Sequence, residues 1–190
     1  MATARLGFKD VYIVPFLDSN FTLDEGNKQL ISKAMLIADQ GIVIEKNDKL
    51  QKYVFGDGSI LTVTDANDTP GTITLQLGKT GGIDNILQYL FPESYKATDG
   101  SGDTVRSFTS PIGSDRTVWS KALLIRIVDS TDPDNKSKWI TARCAVNTNY
   151  KEIAGKDLST IDITFDMIGG ETLSNGETEI MRIGDPDVAI

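Results

Sequence analysis

A mainly β fold, a β-sandwich or open barrel of about eight strands with one short packed α-helix and long polar loops, is what the sequence predicts. Three observations carry this. Short β-branched and aromatic runs recur along the chain, several of them alternate polar with apolar residues, and one segment alone has apolar residues at helical spacing. At 190 residues and 39% hydrophobic content the chain can bury one core, is short for two, and is too apolar for disorder. It reads as a single domain over 1–190, with an N-terminal segment 1–10, a long loop 96–115 and a C-terminal arm 170–190.

The first run, Val11 to Phe16, contains Pro15, which confines it to a sheet edge or to a strand end. Ala34 to Glu45 is apolar, with Gly41 marking a turn or bulge. Leu50 to Phe55 and Ser59 to Thr64 flank Gly56-Asp57-Gly58 and read as a hairpin. Thr72 to Leu77 alternates, so Ile73, Leu75 and Leu77 share a face. Over 83–91, Ile83, Ile86, Leu87, Leu90 and Phe91 form one apolar helical stripe, with Thr80 as a cap and Pro92 as the stop. Lys96 to Asp115, rich in Gly, Ser, Thr and Asp, reads as a loop. Val118 to Asp129 and Lys138 to Val146 are the arms of a long hairpin. Ser159 to Met167 alternates: Ile161, Ile163, Phe165 and Met167 face one way, and Thr160, Asp162, Thr164 and Asp166 the other. Glu179 to Ile183 is a last short strand.

Two absences narrow the chemistry. With no histidine, the chain holds no histidine-based triad, acid–base pair or metal site. Its one cysteine, Cys144, can form neither an intrachain disulfide nor a cysteine zinc site, and its strand-like surroundings predict a buried, inert thiol. No apolar run approaches the ~20 residues of a membrane-spanning helix, and the start lacks the apolar stretch of a secretory signal. A formal charge of −8 opposes binding to phosphate backbones, without opposing a role in which nucleic acid passes by.

Three motif look-alikes fail on spacing. Leu77-Gly78-Lys79-Thr80-Gly81 resembles the end of a phosphate-binding loop, but position 73, where a glycine is required, is isoleucine. Asp129, Asp132, Asp134 and Asn135 offer calcium ligands, but the sixth position is Asp134 instead of glycine and the twelfth is Ile140 instead of glutamate; a solvated turn is the expectation. Asp99-Gly-Ser-Gly-Asp103 reads as a loop tip. No carboxylate pair sits in a recognisable motif, and 7% aromatic content is poor material for a sugar-stacking cleft. The expectation is no catalysis, no cofactor and no metal.

The stripe Asp162, Thr164, Asp166 is an ordinary solvated strand face in a monomer. In a multi-subunit ring the same stripe would repeat as rings of negative charge, and a channel wall of one sign repels a polyanion and leaves it mobile.

The order of elements resembles phage tail tube proteins over most of the chain. The carrying features are Gly71-Thr-Ile-Thr-Leu-Gln-Leu-Gly78 leading to Ile83–Phe91, the paired stretch Ser120 to Val146, and the closing Ser159-Thr-Ile-Asp-Ile-Thr-Phe-Asp-Met-Ile-Gly-Gly170. The resemblance implies a subunit of homo-hexameric rings that stack into a tube. Its partners would be further copies and other tail proteins such as the terminator, baseplate or tape measure. DNA would be passing cargo without specific binding, and no membrane would be involved. The place would be the virion, with assembly in the host cytoplasm, and Asp162, Thr164 and Asp166 would face the lumen. Other virion β-proteins (baseplate, tail terminator, head completion) and a monomeric carbohydrate- or calcium-dependent adhesion module are the alternatives.

Overall fold

The two cleanest alternations in the chain become neighbouring antiparallel strands. In the computed structural model, 71–78 and 159–167 pair with Thr72 opposite Asp166 and Gly78 opposite Thr160. Ile73, Leu75, Leu77, Ile161, Ile163, Phe165 and Met167 are at most 2% exposed, because every second side chain of each strand lands on one shared apolar face. The structure describes residues 9–37, 41–46, 50–54, 60–64, 71–78, 86–87, 90, 95–101, 104–107, 122–145, 150–154, 159–170 and 172–188.

These residues contain thirteen strands. In chain order they are β1 (Lys9–Pro15), β2 (Gln29–Ile31), β3 (Ile42–Lys46), β4 (Leu50–Val54), β5 (Ile60–Thr64), β6 (Gly71–Gly78) and β7 (Tyr95–Thr98). There follow β8 (Thr104–Ser107), β9 (Ala122–Asp129), β10 (Ile140–Ala145), β11 (Tyr150–Ala154), β12 (Ser159–Met167) and β13 (Arg182–Ile183). Nine form one antiparallel sheet in the order β2-β1-β9-β10-β12-β6-β3, with β11 against β12 and β13 against β10. The pairs β4–β5 and β7–β8 are separate two-stranded sheets.

The sheet forks at β10 and β12. One edge of β10 is fully taken by β9. Its other edge is shared: Ile140 and Thr141 pair with β13, and Cys144 and Ala145 with β12. The edge of β12 facing away from β6 is shared in the same way, by β11 at 159–163 and by β10 at 166–167. Apolar faces from both halves enter a single core, Val11, Ile13, Ile125 and Ile127 from one and Ile73, Leu75, Ile163 and Phe165 from the other. Ile86, Leu87 and Leu90 are helical and join that core at no more than 4% exposure. The fold is therefore mainly β and β-sandwich-like, with an open sheet.

Several expectations are refined. Pro15 ends β1, but β1 is an interior strand between β2 and β9. Proline is tolerated there because its missing N–H falls at the end of the ladder. Gly41 precedes β3 where the chain folds close to itself: a Cβ at this position would lie 2.6 Å from the Ile37 carbonyl oxygen. The hairpin expected over 50–64 is present, with Val54 opposite Ile60; its turn, 55–59, lies outside the described residues. The stretch 96–115, expected to be a loop, instead holds the β7–β8 hairpin over 95–107. The β-branched and aromatic residues Tyr95, Thr98, Thr104 and Val105 suffice for two short strands around a glycine-rich tip. Positions 108–115 and most of the helix 83–91 lie outside the described residues, as do 1–8 of the N-terminal segment.

Cys144 sits in the core at 0% exposure, opposite Met167. Burial, aided by the charge of Asp166, pushes its thiol far above the usual range. The native protein should not react with an aromatic disulfide reagent, whereas unfolding in guanidinium should release one thiol per chain. Rapid reaction of the native protein would mean that the β10–β12 junction opens.

Candidate functional site

The side of the sheet away from the core carries two different surfaces. On β3, β6 and β12 it is mainly polar, with Val43 exposed among the polar residues. Asp162, Thr164 and Asp166 alternate with the core residues as expected and are half-buried on this face. The Thr164 hydroxyl lies 3.1 Å from that of Thr74, its register partner. Asp162 stands between Gln76 of β6 and Lys151 of β11, and its Oδ1 is buried without a hydrogen-bond partner among the described residues. Asp166 lies opposite Thr72 and Ala145. The stripe is thus more enclosed than a free solvent face, and Lys151 tempers its charge at one end.

On β1, β9 and β10 the same side is different. Strand pairing puts Tyr12, Arg126 and Thr141 in one row and Leu124 and Arg143 in the next. Arginines among apolar neighbours in a strand need partners, and the connecting segments supply them. Glu25, in a one-turn 3-10 helix capped by Asp24, accepts two hydrogen bonds from Arg126, at 2.5 and 3.2 Å. The Arg126 guanidinium also lies over the Trp139 ring, 4.7 Å from its centroid. The fork-to-carboxylate geometry and the stacking together let Arg126 be 7% exposed as a charged residue. Its Nε has no hydrogen-bond partner among the described residues.

Arg143 is held differently. Its guanidinium is 3.8 Å from the centroid of Phe21 and 5.6 Å from that of Phe16. The two rings meet edge to face at 5.2 Å. Phe21 adopts φ 60°, a region that costs a non-glycine residue energy. A turn built on Asp18 maintains it: one carboxylate oxygen accepts from the N–H groups of Asn20 and Thr22, and the other from the Thr22 hydroxyl. The backbone is therefore strained at the residue that places an aromatic face under Arg143.

The C-terminal arm forms the far wall. Arg182 pairs with Glu179 at 2.6 and 3.1 Å and donates to the carbonyls of Pro186 and Val188. Lys136 pairs with Asp187, and the Gly184 N–H donates to the Trp139 carbonyl. Together these elements enclose an open groove of about 520 Å³, which Lys28 also lines. No residue of this groove belongs to the stripe predicted as a site. A signal for it does exist in the sequence, namely Arg126 and Arg143 interrupting the apolar runs Leu123–Val128 and Ile140–Ala145.

The turn considered for calcium is satisfied internally. Asp129 accepts from the N–H and hydroxyl of Thr131. Asp132 accepts from Asn135 and Lys138, and these bonds hold its carboxyl below the usual range. The Lys138 ammonium thus already neutralises the Asp132 carboxylate. The phosphate-loop look-alike begins in the end of β6, where Leu77 is buried and Gly78 pairs with Thr160.

Glu25 gives the groove a pH dependence. The Arg126 hydrogen bonds, then the Arg126 and Lys28 charges, hold its carboxyl below the ordinary value of 4.5. A depressed folded-state pKa contributes stability above the unfolded value, and that contribution is lost as pH falls through the folded value. Between about pH 6 and pH 3 the urea midpoint of the wild type should therefore fall further than that of Glu25→Gln. Equal falls would remove Glu25 from the acid response.

No protein-family model matches this sequence, and no curated protein does either. Among the described residues, no group of three or more Cys, Asp and Glu is placed to hold a metal ion, and no helix is long and apolar enough to cross a membrane.

Proposed function

We propose that the protein is a structural subunit of the phage tail-tube type, assembling into stacked homo-hexameric rings through which DNA passes. The observation that carries this reading is the open end of the sheet. Among the described strands β3 pairs only with β6, so within that set it ends the sheet, beside a half-buried polar face. Exposed edges of this kind invite strand addition, and closure of sheets from several copies into a barrel removes them. The polar face then becomes the wall of the enclosed passage. Glu45, Asp162 and Asp166 lie on it with Lys151 beside Asp162, and threonines, Gln76 and the exposed Val43 share the face. A wall that is polar and acidic on balance keeps a polyanion hydrated and does not hold it.

Negative-stain microscopy of concentrated protein, alone and with a tail initiator complex, tests the reading. Rings of six-fold symmetry or tubes are expected; dispersed single subunits under both conditions would overturn it. The charge mechanism has its own test. Asp162→Lys with Asp166→Lys should leave particles assembled and slow genome release, and unchanged release would sink the acidic-lumen mechanism.

A further inference from the structure

Asn175 is the one asparagine of the chain that is followed by glycine. In such a pair the peptide nitrogen after the asparagine has no side chain beside it, so it can approach the asparagine's own side-chain carbonyl carbon. The pair stands at the tip of a small hairpin near the start of the C-terminal arm. Thr172 and Thr178 bridge, the Leu173 N–H donates to the Glu177 carbonyl at 2.7 Å, and the Gly176 N–H donates to the Leu173 carbonyl at 2.9 Å. Gly176 has φ 84°, which closes a three-residue loop of the glycine-bulge kind. Asn175, Gly176 and Glu177 are exposed, and a Cβ at Gly176 would meet nothing within 4 Å. Water and hydroxide therefore reach both reacting groups.

We propose that Asn175 is a site of spontaneous deamidation whose rate the hairpin controls. Hydroxide takes the Gly176 amide proton, the nitrogen attacks Cγ of Asn175, and Nδ2 leaves as ammonia with a proton from water, so that a five-membered imide closes. Water then opens the ring at either carbonyl and leaves an aspartate or an isoaspartate. The net change is one water in and one ammonia out, with nothing oxidised or reduced. Three contacts oppose the first step. The Gly176 N–H is engaged with Leu173, the Asn175 Oδ1 accepts from the Glu177 N–H at 3.0 Å, and Nδ2 donates to the Glu177 carboxylate at 3.0 Å. All three bonds lie at an exposed tip, where opening is cheap, so the hairpin slows the reaction without stopping it.

The products disturb what the hairpin holds. A carboxylate at 175 faces that of Glu177 where an amide donated before. Isoaspartate also adds a main-chain methylene between Leu173 and Glu177, which shifts the register of their bond. Further along, the Glu179 carbonyl accepts from the Gly170 N–H at 2.6 Å and the Glu179 carboxylate holds Arg182, so the loosening reaches the wall of the groove. This chemistry does not depend on the assembly proposed above.

Peptide mapping by mass spectrometry tests it. The folded chain is held at 37 °C and mildly alkaline pH beside a sample in guanidinium. A mass gain of about 1 Da is expected at Asn175 ahead of every other asparagine, as two products that chromatography separates. It should be about tenfold faster in guanidinium. Glu177→Ala, checked by thermal melting, should raise the folded rate toward the unfolded one and leave the unfolded rate alone. Asn175 intact in the folded chain while the guanidinium sample reacts, or another asparagine reacting first, would overturn the site. Equal rates in both samples, with Glu177→Ala indifferent, would overturn control by the hairpin. Amide exchange over 179–183 should be faster in aged protein than in fresh, and unchanged exchange would overturn the effect on the groove wall.

Discussion

Truncation of Phe165 to alanine is expected to leave the protein largely unfolded at 37 °C, and close to its stability limit at 25 °C. Phe165 heads the fully buried side chains by size, at 0% exposure, and lies opposite Ile73 where β12 and β6 pair. Its ring belongs to a core built from both halves of the forked sheet and from the helical residues Ile86, Leu87 and Leu90. Removing a buried phenylalanine costs about 3–5 kcal/mol, because the cavity is only partly refilled. A single domain has about 5–15 kcal/mol in total. The forked geometry places the cost at the upper end. Strands on both sides of the cavity are held in long ladders, β12 to β6 and β1 to β9, and cannot move inward without breaking them. Urea unfolding followed by tryptophan fluorescence should show a large fall in midpoint with an unchanged slope. Thr164→Ala, one residue away but facing outward onto Thr74, should lose only about 0.5–1.5 kcal/mol. A Phe165→Ala loss no larger than that of Thr164→Ala would show that the core does not span the two halves.

The difference between those two positions was legible in the sequence, and the reason is physical. A strand with one buried face writes its orientation into alternate residues, as Ser159–Met167 and Thr72–Leu77 do. The long β9–β10 hairpin is legible for another reason: two apolar arms flank the turn-rich stretch 129–136. What the sequence hid were the consequences of long-range pairing. The β7–β8 hairpin lies in a stretch dominated by turn-formers, where Tyr95, Thr98 and Val105 are too few to set a period. The groove is assembled from Glu25, Arg126, Trp139 and Arg182, and only the ladder that puts Arg126 opposite both Tyr12 and Thr141, with the C-terminal arm against β10, brings them together. The stripe Asp162–Asp166 was read correctly as a face. Its enclosure, with a carboxylate oxygen of Asp162 out of water, depends on β11 and Lys151 beside it, which periodicity within β12 does not encode.

The edge strand on which the proposed assembly depends packs closely against one glycine. Gly71 opens β6, pairs with Lys46 of β3, and is buried. A Cβ there would lie 2.6 Å from the Glu45 carbonyl oxygen and 2.9 Å from the Met167 Sδ. The thioether is flexible and can move aside, but the carbonyl is part of the β3 backbone and cannot yield while the ladder holds. Two effects of Gly71→Ala oppose each other. Reduced freedom of the unfolded chain stabilises by about 0.4–1 kcal/mol where the native conformation accepts alanine. Overpacking against fixed backbone costs about 1–3 kcal/mol. At 2.6 Å the second term wins, so a net loss is expected. The cheapest relief is local: β3 has no second partner among the described strands, so it can lift from β6 at Lys46 while β6 keeps its pairing to β12. Gly71→Ala should therefore speed amide exchange across 42–46 far more than across β9 or β12, and lower the urea midpoint modestly. In the proposed ring β3 is the strand offered to the next copy, so the same substitution should abolish tubes at protein concentrations where the folded fraction is still high. An alanine variant as stable as the wild type, with β3 equally protected, would refute the close approach at Gly71. Normal tubes from a variant whose β3 exchanges freely would instead mean that copies join through some other edge.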